Sequence, residues 1–154
     1  MELSSILKPE AIKVLAGISS KKRLFQNIGE LAESAYGIKA SLTLDALIER
    51  ENLGPTGVGK GVALPHARLA DLSEVIGIFV LLEKPIEFGA VDRQPVDIAF
   101  ALFAPKDAGV DHLKALALVS RTLRDSEFCT KLRANFDSTT LYALLTEGRP
   151  EQVN

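Results

Sequence analysis

The run 75-VIGIFVLL-82 and, beyond the turn KPIEFG, the run 96-VDIAFALFA-104 are apolar on both faces rather than at alternate positions. A strand with one solvated face alternates, so unbroken apolar runs of this length predict strands covered on both sides. Pro105 ends the second. Just upstream, 62-VALPHAR-68 reads as a short strand or strand end broken by Pro65. Before it, 53-LGPTGVGKG-61 holds four glycines and a proline in nine residues, which predicts a loop with unusual backbone conformations. Helical periodicity lies on either side of this central part. The segment 20-SKKRLFQNIGELAESAYG-37 predicts a helix capped by Ser19 or Ser20, with Leu24, Ile28, Leu31 and Ala35 on one face and Gly37 as its stop. A second helix is expected through 43-TLDALIEREN-52, with Leu44, Leu47 and Ile48 inward. Downstream, 111-DHLKALALVSRTLRD-125 is strongly amphipathic, with Asp111 as a ready N-cap and Leu113, Leu116, Ala117, Ser120 and Leu123 as the expected inner stripe. Shorter helices are expected over 126–135 and 139–148, the last capped by Asp137 or Ser138. Helices before and after a group of buried strands predict a layered α/β domain.

The bulk numbers agree with that. A chain of 154 residues is long enough to bury one core, and one domain over 1–154 is expected. Eighteen basic against twenty acidic residues give a formal charge of -2, which offers no electrostatic reason to propose nucleic acid or an anionic membrane as partner. One cysteine, Cys129, excludes an internal disulfide, and its place among hydrophobes in a helix marks it as a core residue. The start MELSSILKPEAIKVL lacks the pattern of a signal peptide, and no apolar run approaches the ~20 residues that span a bilayer. A cytoplasmic location is expected.

Residues 54-GPTGVGK-60 match G-x-x-x-x-G-K, the core of a nucleotide-binding P-loop. That loop needs a Ser/Thr hydroxyl after the lysine to hold magnesium, and here Gly61 follows Lys60. It also joins a strand to a helix, whereas this loop follows a helical segment and leads into VALPH. Asp97 begins its strand instead of ending it, so it makes a poor second metal-binding carboxylate. Nucleotide hydrolysis is therefore set aside, although the glycines still point to a backbone that comes close to something, such as a phosphate held by amides.

The chain has two histidines. His66 follows Pro65, whose fixed φ limits the local backbone and helps aim the imidazole. His112 opens the strongest helix, where free amides and the helix dipole favour an anion. They are forty-six positions apart, so they are either two parts of one site or unrelated. Two histidines and one cysteine fall short of a zinc set, and nothing like H-E-x-x-H appears, so no metal is expected.

The stretch 56-TGVGKGVALPHAR-68 resembles the active-site signature of the mannitol/fructose/nitrogen-type IIA family of the phosphotransferase system, T-G-x-G-x-G-x-A-[IVL]-P-H. Thr56, Gly57, Gly59, Gly61, Ala63, Pro65 and His66 fit it. The likeness extends to Leu47, Arg50, Glu51, Gly54, Thr56 and Gly57 before the signature, to Asp92, Gln94, Pro95, Val96 and Asp97 after it, and to His112, Leu113, Leu116, Leu118 and Val119. The resemblance implies a three-layer α/β/α fold with a central mixed sheet of about five strands. It implies that His66 is the phosphorylated residue and receives its phosphoryl group from an HPr- or NPr-like phosphohistidine carrier. His112 would steady the phosphoryl group and Arg50 would form the basic edge of the site, the alternative for Arg50 being a solvated residue paired with Glu49 or Glu51. Thr56, Gly57, Gly59 and Gly61 would present amides to the phosphate. Transfer between imidazoles needs a nucleophile, alignment and neutralised oxygens, so no metal or nucleotide cofactor is expected.

The 92-DRQPVD-97 element is similar to the nitrogen-regulatory branch, and the chain ends at Asn154 with no IIB unit attached. Both favour a regulatory output, in which the two phosphorylation states bind different targets such as potassium-transport or sensor proteins. The alternatives are a sugar-specific IIA component that passes phosphate to a IIB partner, and a binding module without phosphoryl chemistry.

Overall fold

The computed structural model describes residues 1–147, so Gly148, expected to end the last helix, lies outside the described residues. The elements are β1 (Leu7–Leu15), α1 (Lys21–Tyr36), α2 (Ala40–Glu51), β2 (Gly57–Gly59), β3 (Val62–Ala63), β4 (His66–Leu69), β5 (Ile76–Ile86), β6 (Val96–Pro105), α3 (Val110–Leu123), α4 (Ser126–Arg133) and α5 (Ser138–Thr146), preceded by a 3-10 turn at Leu3–Ser5. The two apolar runs form the centre of one mixed sheet, in the order β1-β5-β6-β3-β2. β5 and β6 run antiparallel, with Phe79 opposite Phe100 and Leu81 opposite Ile98. β1 joins β5 in parallel, and β3 and β4 both join the other edge of β6 in parallel. Residues 96–105 of β6 are buried except for Asp97, which is partly exposed. That burial requires helices on both faces of the sheet, making the three layers expected. With six strands, the sheet has one more than the approximate count.

Local chemistry places the helices. The Ser20 hydroxyl accepts the Arg23 amide at the start of α1, and Gly37, with φ +74°, ends that helix in the left-handed conformation. Asp125 and Asp137 cap α4 and α5 in the same way. α2 begins three residues before the expected start, and Thr43 turns inward with its hydroxyl bonded to the Ala40 carbonyl.

Two expectations for α3 are corrected. Its N-cap is Gly109, with no side-chain cap bond, and Asp111 lies inside the first turn. Its buried face is His112, Ala115, Val119, Thr122 and Leu123, whereas Leu113 is 65% exposed and Ala117 is also exposed. The physical reason is that α3 rests on β6, where small residues allow close approach, so the helix turns Ala115 and Val119 to the sheet and leaves Leu113 on the rim. This rotation carries His112 inward. The strand β1 had no expectation at all, and β2 lay within the glycine loop.

Candidate functional site

β4 begins at the residue after Pro65, and Pro65 itself contributes its carbonyl, which accepts the Leu102 amide of β6. Side chains alternate along a strand, so His66 and Arg68 emerge on one side while Ala67 and Leu69 enter the core. The inward turn of α3 brings His112 to the same place. The two rings lie 5.8 Å apart, centre to centre, with planes at 71°. Arg50, from the last turn of α2, completes the set, and all four side chains line one open groove of about 1200 Å³. His66, His112 and Arg50 thus converge, although they come from three separate elements.

Nδ1 of His66 lies 2.8 Å from the Leu64 carbonyl oxygen. A carbonyl only accepts, so this contact fixes the proton on Nδ1 and leaves a lone pair on Nε2. Burial lowers the pKa of His66 below its ordinary 6.5, the Leu64 bond pulls it back up, the nearby Arg50 charge lowers it and Glu51 raises it. Burial acts most strongly on this ring and favours its neutral form. His112 is 5% exposed, and its pKa is lowered to about 4 by burial, then by Arg68 and His66. Its Nε2 is buried with no hydrogen-bond partner. A buried polar atom left unpaired costs about 1–3 kcal/mol, so an incoming oxygen that accepts from it would recover that cost.

Both guanidiniums are anchored by main-chain carbonyls: Arg50 Nη1 donates to Gly54 at 2.9 Å and Arg68 Nη1 donates to Lys106 at 3.0 Å. Arg68 was not singled out from the sequence. The signal was available in H-x-R on a strand, whose period of two places both side chains on one face.

The four loop residues expected to contact phosphate fall in the segment 56–61, close to His66 in the chain. Thr56, Gly57, Gly59 and Gly61 do not line the groove; they build the β2–β3 hairpin beside it. The Thr56 amide and hydroxyl both donate to Glu51. A Cβ on Gly57 would come within 2.7 Å of the Ala90 Cβ, so close packing requires glycine there. Gly61 adopts φ +81°, and a Cβ there would meet Arg133 Nη2 at 2.6 Å. The Arg133 guanidinium holds this turn by pairing with Asp97 at 3.0 Å and donating to the Lys60 carbonyl. Asp92 accepts the Lys60 amide at 2.9 Å, which places Gly59 and Lys60 against the turn before β6.

The family model described as phosphoenolpyruvate-dependent sugar phosphotransferase system, EIIA 2, matches residues 5–148. A nitrogen regulatory protein of Bradyrhizobium diazoefficiens is 42% identical over 145 residues, covering 94% of this chain and 95% of that protein. A nitrogen regulatory protein of Escherichia coli is 40% identical, with coverage of 99% and 96%. The crystal structure of the nitrogen regulatory protein IIA-Ntr from Neisseria meningitidis superposes with a TM-score of 0.84 at 34% identity, covering 92% of this chain and 97% of that one.

Proposed function

The chain belongs to the EIIA 2 family of the phosphoenolpyruvate-dependent sugar phosphotransferase system, and on that premise we propose that His66 takes its phosphoryl group from a small HPr- or NPr-like carrier and that phosphorylation sets a regulatory output. The observation that carries the proposal is the orientation of His66: Nδ1 is bonded to Leu64 and the ring lies in an open groove beside the unpartnered Nε2 of His112. The Nε2 lone pair attacks phosphorus in line with the carrier's P–N bond, and the electron pair of that bond returns to the carrier ring. A carrier ring protonated on its other nitrogen leaves as neutral imidazole. The Nδ1 proton stays on His66, whose ring becomes cationic and offsets part of the phosphoryl charge. His112, neutral, donates through Nε2 to a phosphoryl oxygen. Arg50 and Arg68 supply positive charge from either side, which is what a transfer with dispersed oxygen charge requires.

The regulatory part draws on likeness to the Bradyrhizobium and Escherichia nitrogen regulatory proteins. A phosphoryl group carrying about -1.5 to -2 charge changes the docking electrostatics of the groove, enough to exchange one protein target for another. Potassium-transport and sensor proteins are the target classes to test first.

Incubation with phosphoenolpyruvate, enzyme I and the carrier is expected to add the mass of one phosphoryl group to the wild type and none to His66→Ala. No mass gain on the wild type would overturn the proposal. Rapid loss of the label to an added sugar-type IIB protein, with target binding indifferent to phosphorylation, would replace the regulatory reading with sugar transfer.

A further inference from the structure

We infer that Glu51 is a positioning residue for the phosphoryl-accepting nitrogen, acting on His66 through Thr56 and Leu64. The inference rests on the proposed role of His66, but the contacts that carry it lie outside the groove. Glu51 ends α2, next in sequence to Arg50. A carboxylate at a helix C-terminus opposes the helix dipole, so local rules favour almost any other residue there. Such a breach of a local rule marks positions kept for another reason. The Glu51 side chain is only 8% exposed and accepts three donors. Lys21 Nζ of α1 donates to Oε2 at 2.8 Å, the Thr56 amide donates to the same oxygen at 3.1 Å, and the Thr56 hydroxyl donates to Oε1 at 2.5 Å. The Lys21 ammonium is itself held over the Phe88 ring, 4.4 Å from its centre.

From Thr56 the contacts continue without a gap. The Thr56 carbonyl accepts the Leu64 amide at 2.9 Å, closing the base of the β2–β3 hairpin. The Leu64 carbonyl then accepts from His66 Nδ1 at 2.8 Å. The Leu64 amide and carbonyl belong to successive peptide planes joined at the Leu64 Cα, and the following Pro65 restricts the torsions between them, so anchoring the amide limits where the carbonyl can point. That carbonyl decides which ring nitrogen carries the proton and where Nε2 points. Meanwhile Arg50 Nη1 grips Gly54, so two adjacent side chains of α2 fasten the segment 54–56 at both ends. A metal-bound histidine is aimed in a comparable way by the partner of its second nitrogen; here a carboxylate does it at one remove, through two backbone links. Burying a carboxylate is costly unless its oxygens are satisfied, and here three donors meet that cost.

The test uses the full chain with Glu51→Gln, Thr56→Val and Thr56→Ser. A glutamine has one acceptor oxygen, so it cannot receive all three donors. Valine lacks the hydroxyl; serine keeps it. Two readouts are taken: the transfer rate from the phosphorylated carrier, separated into kcat and KM, and the nitrogen NMR spectrum of the His66 ring, which reports its tautomer. Glu51→Gln and Thr56→Val are expected to lower kcat about tenfold or more at unchanged KM, because small errors of aim are costly in transfer. Both are expected to mix the Nδ1–H and Nε2–H tautomers of His66, and Thr56→Ser to restore the wild-type pattern. If the tautomer stays wholly Nδ1–H in both damaged variants, or if serine fails to restore it, the inference is wrong. Should Glu51→Gln not fold, the valine and serine pair decides. The NMR readout needs no phosphate, so failure of the wild type to accept a phosphoryl group would overturn the proposed function and leave the positioning result readable.

Discussion

His66 and His112 share a groove but are held neutral by different balances. At His66 burial is opposed by the Leu64 hydrogen bond, whereas at His112 burial is reinforced by the Arg68 charge and by the penalty of protonating two neighbouring rings at once. His112 therefore falls to about 4 from an ordinary 6.5. The sign for stability follows. Between those two values the unfolded chain binds a proton at this residue and the folded chain does not, so the contribution is fully present above pH 6.5 and is lost as the pH falls towards 4. Its size across the window is on the order of 2 kcal/mol. Urea unfolding at pH 7 and pH 4.5 is expected to show this loss in the wild type and a smaller one in His112→Asn, where nothing titrates. An equal loss in both proteins would show that the buried imidazole is not its source. At this scale the sequence was informative about types and silent about distance: Pro65 and the strand period aim His66, but nothing local says that a residue forty-six positions on lies beside it. That required the rotation of α3, which its leucines concealed.

The β2–β3 hairpin is held by packing on the side away from the groove. Its glycines looked like a phosphate cradle, and in the structure they allow close packing against the turn at 88–92 and against Arg133. Gly57→Ala is expected to cost about 1–3 kcal/mol, because the new methyl would meet the Ala90 Cβ and the backbone Cα that carries it, which cannot move freely. Thermal unfolding measures it; an unchanged midpoint would mean that the turn yields. Why some elements were legible is equally physical. β5 and β6 are buried on both faces and read plainly as apolar runs, whereas along β1 the buried residues Leu7, Ala11, Ile12 and Leu15 follow no fixed period. Its register against β5 shifts between Leu7 and Ile12, so neither strict alternation nor a continuous run appears in LKPEAIKVL.

Across the whole molecule, a buried sheet fixes the site from behind and leaves an apolar rim in front. Leu53 is 82% exposed and Leu42 48% exposed, both on the groove, and Leu113 stands next to His112. Brief docking of a small carrier suits such a rim, since transient interfaces are small. Leu53→Asp is expected to raise the KM for the carrier about tenfold and to leave the melting temperature unchanged, because an exposed side chain contributes little to folding. A shifted melting temperature with unaltered KM would assign Leu53 to stability instead. Among the described residues no helix is long and apolar enough to cross a membrane. Far along the same groove, the Tyr36 hydroxyl donates to the Gly77 carbonyl at 2.8 Å and lies 3.2 Å from that of Ile6, while accepting the Lys8 amide at 3.1 Å. It fills the irregularity of β1, and its burial pushes the phenol up to about 12. The chain contains no tryptophan and two tyrosines. One of its two tyrosines thus sits in the wall of the groove, so tyrosine fluorescence gives the protein its own optical gauge of whether that groove is occupied, with no dye attached.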